Sequence, residues 1–251
     1  MNLTCYFSLS RFLQLLKLEW SRSRKGILIT FLITFGLLFT VFILESVFSY
    51  SKICNSHPSA YAFALLTAGF ILSSLAFNDL GHSLRRHNYL MLPASTFEKF
   101  FSMWLLTCAG WIIAFTLVYI LYSAGANALG HLFFSDRTYI AFSPVARIPV
   151  NAICYYLAIQ GVFLVGAVHF RGFVFPKTIL ALLIFGMVCG IIFYFTMSDL
   201  FQTNPEFINE YSVLKNNALY KVWMMVRWMF RWLLAPLCWV ITCLGLKEQE
   251  V

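Results

Sequence analysis

Long apolar runs separated by short polar clusters dominate the chain. A helix needs about 20 apolar residues to cross about 30 Å of hydrocarbon, so uncharged blocks of that length mark candidate spans. Six emerge, approximately Gly26 to Tyr50, Ala60 to Phe77, Phe100 to Ala124, Ile148 to Val168, Thr178 to Met197 and Val222 to Leu246. The last departs from the pattern, since Arg227 and Arg231 sit in its first half. Their spacing of four places both on one helical face, where they either snorkel to headgroups or face protein. The expected fold is therefore all-α and membrane-integral, a single transmembrane domain over 1–251, with six spans between 26 and 246 and a short tail at 247–251.

Ahead of the first block, Leu9, Phe12, Leu13, Leu16 and Trp20 recur at helical spacing, while Ser10, Arg11, Gln14, Lys17 and Ser21 take the opposite side. That alternation predicts an amphipathic helix within 1–25 lying in the interface, with Arg22, Arg24 and Lys25 marking a turn into the bilayer. Gly26 to Leu44 is uncharged and no small-residue cleavage site is evident, so the first block is expected to be retained as a span rather than removed as a signal.

The polar stretch Asn78 to Lys99 joins the second and third blocks. Asp79 to Leu92 predicts a short helix, stopped at Pro93 because the residue before proline is pushed out of helical geometry. Ser95 followed by Glu98 fits a capping box at the start of the third span. Gly125 to Arg147 and Ser198 to Lys221 are expected as outer loops. In the second of these, Asn204-Pro205 signals a turn and Phe207, Ile208, Tyr211 and Leu214 repeat at helical spacing.

Composition strengthens the same picture. Of 251 residues, 61% are hydrophobic and 11% charged, against about 45–50% and about 25% in soluble domains. The formal charge of +8 is spread among the apolar blocks and forms no tract suited to nucleic acid. Membrane orientation accounts for it better. With the amino terminus inside, eleven Lys and Arg residues fall on the inner side and seven on the outer, which places both termini in the cytoplasm. Seven cysteines, mostly inside apolar blocks and without paired spacing, are expected as buried thiols.

Ionisable groups within spans are scarce. Glu45 is expected to be solvated near the outer end of the first span, and Asn151 and Gln160 to hydrogen-bond between helices. His169 beside Arg171 is expected at the headgroups. Gly161 and Gly166 permit close helix approach, and Gly186 and Gly190 have the spacing of a helix-contact pair. No zinc-protease, nucleophile-elbow or Walker motif occurs, so no covalent chemistry, metal or nucleotide site is expected on the chain. A lipid-acting enzyme would have to use Glu45, His131, Asp136 or His169, whose spacing does not favour it. A membrane scaffold or assembly factor is the other alternative.

The stretch Leu92-Pro93-Ala94-Ser95-Thr96-Phe97-Glu98-Lys99-Phe100, with Arg85 and Arg86 upstream, resembles the segment that follows the coupling helix in permease subunits of ABC type-2 exporters. The layout of six spans, an amino-terminal interfacial helix and an inner helix between the second and third spans resembles that family as well. The resemblance implies a non-catalytic transport subunit in the inner membrane, dimeric and seated on separate ATPase subunits that bind the ATP and magnesium. His82, Ser83, Arg85, Arg86, His87 and Tyr89 would then form the docking surface. The amino-terminal helix with Arg11, Phe12, Leu16 and Trp20 would brace it.

Overall fold

The computed structural model describes residues 8–48, 53–54, 56–81, 86–87, 89, 91–134, 138–203 and 218–250. They are almost entirely helical: α1 (Leu9–Phe48), α2 (His57–Leu75), α3 (Thr96–Trp104), α4 (Trp111–Phe133), α5 (Arg147–His169), α6 (Val174–Thr203) and α7 (Ala218–Glu250). Two residues of β1 (Ile53–Cys54) pair in parallel with β2 (Thr138–Tyr139). A π-helical turn, Leu105–Gly110, joins α3 to α4 without a break in the rod. Five helical segments are long and apolar enough to cross a membrane, beginning at Leu9, His57, Thr96, Arg147 and Val174, which fits a membrane-embedded protein. The sixth expected block lies within α7, a 33-residue helix that also holds Pro236.

Prolines and caps set most helix starts. Pro58 occupies the first turn of α2, where its missing N–H would have had no intrahelical partner. Ser95 has extended backbone, its hydroxyl accepts from Glu98 N at 3.1 Å, and Ser95 N donates to Glu98 Oε2 at 2.9 Å. The expected capping box is thus complete. Between α5 and α6 the chain reverses through Gly172 at φ 59° and Phe173 at φ 40°, and the glycine supplies the left-handed turn at little steric cost.

Ring contacts give the helix directions. Phe31 and Phe35 of α1 meet Trp111 and Phe115 of α4, while Phe42 near the end of α1 meets His57 at the start of α2. Phe70 of α2 stacks on Phe163 of α5 at 4.7 Å, and Gln160 of α5 reaches Trp239 of α7. Thus α1 and α4 run one way and α2, α5 and α7 the other. The end that holds the start of α1 is here termed proximal. A distal core of Tyr61, Leu65, Trp111, Phe115, Tyr119 and Tyr156 is separate from a proximal one of Phe77, Tyr89, Phe100, Met103, Leu164 and Leu246.

Glycines decide how closely α5 packs against α6 and α7. A Cβ on Gly161 would lie 2.8 Å from the Cys238 Cβ and 3.3 Å from the Ala235 carbonyl oxygen, and a Cβ on Gly166 would meet Thr178 of α6. The most extensive pairing, α5 with α7, passes through Gly161 beside Pro236. By contrast, Gly186 and Gly190 face open space on α6, which is the least covered of the apolar helices.

Several expected boundaries move. The amphipathic stretch and the first apolar block form one 40-residue helix, with no turn at Arg22 to Lys25. Arg and Lys are good helix formers and a lone Gly26 costs only about 1 kcal/mol, so nothing there interrupts the rod. At 1.5 Å per residue it is about 60 Å long, twice the hydrocarbon thickness, so one part projects beyond the bilayer. Its packed face holds Phe12, Leu15 and Glu19, whereas Leu9, Leu13 and Trp20 of the expected apolar stripe are exposed. The loop expected from Gly125 shortens because α4 continues to Phe133, and the one expected from Ser198 shortens because α6 continues to Thr203 and α7 begins at Ala218. Its turn and helical repeat at 204–214 lie outside the described residues. Cys108 and Cys238 are buried free thiols, but Cys189 is exposed on α6. Where a helix is expected from Asp79, Asn78–Gly81 forms a 3-10 turn in which Asp79 meets Arg22, and residues 82–85 lie outside the described residues.

Candidate functional site

The proximal end concentrates the charged groups that α1 brings to the connection between α2 and α3. Glu98 is fully buried at the first turn of α3. Its Oε1 accepts from Ser8 N at 2.7 Å and lies 3.5 Å from an Arg11 guanidinium nitrogen, while its Oε2 closes the capping box. One carboxylate therefore joins two segments 90 residues apart in sequence. Phe12 packs on Phe101 with ring centroids 5.4 Å apart, which sets the amino-terminal half of α1 against α3. About three turns further along α1, Arg22 meets Asp79 of the 3-10 turn at 3.3 Å.

Residues from the expected docking segment lie on this base. Arg86, His87 and Tyr89 are helical, and Met91 N donates to His87 O at 3.0 Å and Leu92 N to Tyr89 O at 3.3 Å. Tyr89 is buried, with the Lys99 ammonium 5.9 Å from its ring centroid. His87 is exposed and Arg86 half-buried. His82, Ser83 and Arg85 lie outside the described residues. Beside them, Arg11, Gln14, Leu15 and Leu18 of α1 face Leu92, Pro93 and Ala94 across a groove of about 400 Å³. Leu16, expected to brace this contact, is half-buried.

A second feature was not among the expected site residues. Glu19 is 2% exposed, and its Oε1 accepts no hydrogen bond among the described residues. Burial raises its carboxyl to about 7. The Arg22 guanidinium works against that rise and the Asp79 charge adds to it. Glu19 lines a cavity of about 260 Å³ with Arg22, Asp79, Leu72, Met103 and Thr107. The available signal was a lone acid in a basic segment, between Arg11 and Lys25, on the Phe12–Leu15 face.

From Thr107 a buried polar chain runs across the bundle. Gln160 donates to the Thr107 hydroxyl at 3.1 Å, Tyr156 donates to the Thr107 carbonyl at 2.5 Å, and Trp239 donates to Gln160 at 3.4 Å. Thr107 sits in the π turn, a helix distortion often found at functional positions. Asn151 lies in the second turn of α5, half-buried. Arg227 and Arg231 lie one turn apart in the first half of α7.

The groups considered for lipid chemistry do not converge. Glu45 accepts from Ser56 and His131 meets Tyr139 edge-on at the distal end, whereas His169 bonds back to Val165 at the proximal end of α5. Asp136 lies outside the described residues. Among the described residues there is no group of three His, Cys, Asp or Glu side chains arranged to hold a metal. Comparison with family models, with curated proteins and with solved structures finds no match.

Proposed function

We propose that this chain is the membrane-spanning subunit of an ATP-driven ABC exporter, working as a dimer on separate ATPase subunits that carry the ATP and magnesium. In this reading α7 supplies a sixth span, both termini lie in the cytoplasm of the inner membrane, and the proximal end faces the ATPase. Arg86 and His87, with His82, Ser83 and Arg85 in the same connection, form the docking surface, whereas Tyr89, expected there from the sequence, is buried in the proximal core and supports the segment from within.

The observation that carries the reading is the bracing of the connection between α2 and α3. Arg22 grips its start through Asp79, and Arg11 and Ser8 grip its end through the buried Glu98. A connection held at both ends by an element projecting past the bilayer can transmit force to α2 and α3 rather than absorb it. Exposed His87 and half-buried Arg86 lie between those two clamps. An energy-consuming partner that pushed here would shift two spans together, as switching between inward and outward states requires.

The test is native co-purification of the tagged chain in mild detergent, with mass spectrometry and an ATPase assay on the complex. An ATPase that co-purifies, and is lost when Arg85 and Arg86 are both changed to glutamate, is the expected result. Recovery of the intact chain with a non-ATPase partner, or alone, refutes the proposal.

A further inference from the structure

The Glu19 cavity shares the Arg22–Asp79 pair with the brace of the connection, but a ligand bound there does not depend on the exporter proposal. Its wall is built from five elements. Glu19, Arg22, Ser23, Ile27 and Thr30 come from α1; Leu72, Leu75 and Ala76 from the end of α2; Asn78 and Asp79 from the 3-10 turn; Met103, Leu106 and Thr107 from α3 and the π turn. The charged side chains of the lining come from α1 and the 3-10 turn, and the end of α2 with Met103 and Leu106 contributes apolar lining. A buried carboxylate oxygen without a donor costs free energy comparable to a lost charged hydrogen bond. Glu19 Oε1 is such an atom: it is buried without a hydrogen-bond partner among the described residues, and Glu19, 2% exposed, is one of the residues that line the cavity.

We propose that this cavity binds the primary ammonium of an amphiphile, with Glu19 as the acceptor. Glu19 disfavours an anion at its own position, and the two carboxylates of this wall, with Asp79 already paired to Arg22, fall short of the about six to eight oxygens a calcium ion takes. An ammonium supplies both the positive charge and the N–H donors that Oε1 lacks. Arg22 spends one nitrogen on Asp79 at 3.3 Å, and its guanidinium has further donors for a neighbouring phosphodiester. The apolar lining accepts the first methylenes of a chain. The charged groups facing Glu19 are Arg22 from its own helix and Asp79 from the 3-10 turn, and the α2 and α3 walls contribute none. Partial protonation of the empty site near neutral pH follows from the raised carboxyl, and a bound cation would lower it.

Aminophospholipids and soluble amines share this chemistry. The purified full-length chain would be incubated in mixed micelles with phosphatidylethanolamine and phosphatidylcholine of identical acyl chains, and retained lipid read by native mass spectrometry. The expected result is several-fold excess retention of the ethanolamine lipid, falling stepwise through its N-methyl and N,N-dimethyl forms. Glu19→Gln should abolish that excess while leaving a monodisperse protein. Equal retention of all headgroups by the unsubstituted chain overturns the proposal whether or not the variant folds, and so does an excess that survives in a folded Glu19→Gln chain. Free ethanolamine that displaces the lipid at concentrations where choline does not overturns the amphiphile in favour of a soluble amine.

Discussion

Replacing Glu98 with alanine removes one acceptor from three donors. The capping box contributes about 1 kcal/mol. Ser8 N and Ser95 N lose their acceptor in a partly buried setting, which costs about 1–3 kcal/mol for each group that water does not reach. The Arg11 side chain is 41% exposed while that of Glu98 is 0%, so the ion pair itself is screened and contributes less than about 1 kcal/mol. With water reaching one of the two backbone donors, Glu98→Ala should lower stability by about 3 kcal/mol. Arg11→Ala should cost less than about 1 kcal/mol, and Ser95→Ala about 1 kcal/mol. Reversible unfolding in mixed micelles with increasing dodecyl sulfate, followed by far-UV circular dichroism, measures all three. The exposed Glu248 serves as a control, and its change to alanine should stay within about 0.5 kcal/mol. A Glu98→Ala effect no larger than that control would refute the clamp. So would an Arg11→Ala effect equal to that of Glu98→Ala, since it would place the free energy in the ion pair rather than in the buried backbone donors.

Other consequences can be checked on the same protein. Gly161→Val should destabilise the chain by about 1–3 kcal/mol by wedging α5 from α7 at Cys238, and a disulfide-scan or cross-linking assay should show the two helices further apart there. Gln160→Leu should cost about 1 kcal/mol through loss of its bonds to Thr107 and Trp239, measured by the same unfolding. The raised Glu19 carboxyl has a definite sign. With a folded value of about 7 against 4.5, the native state binds the extra proton. Stability is therefore highest below pH 4.5 for this group, declines as pH rises to 7 and is flat above. Unfolding at stepped pH should show that decline in the unsubstituted chain and its absence in Glu19→Gln.

The sequence by itself determined the helical, apolar class, because charge-free blocks of about 20 residues have no other stable solution in a bilayer. It also determined the capping box at Ser95 and Glu98, since both partners lie within one turn and their bonding is local. Close approach at Gly161 and hydrogen bonding by Gln160 were legible for the same kind of reason: residue type limits what a position in a span can do. Tertiary structure decided the rest. Continuity of α1 through Arg22 to Lys25 was hidden because a basic cluster looks the same at a turn and on a projecting rod. Which face of α1 packs depends on what α3 offers it, and the packed face keeps Phe12 of the expected stripe, adds Leu15 and Glu19, and leaves Leu9, Leu13 and Trp20 exposed. Partners 57 and 90 residues apart, Arg22 with Asp79 and Ser8 with Glu98, leave no periodic trace along the chain. Burial of Glu19 is a property of the cavity wall that five elements assemble, and no local pattern encodes it.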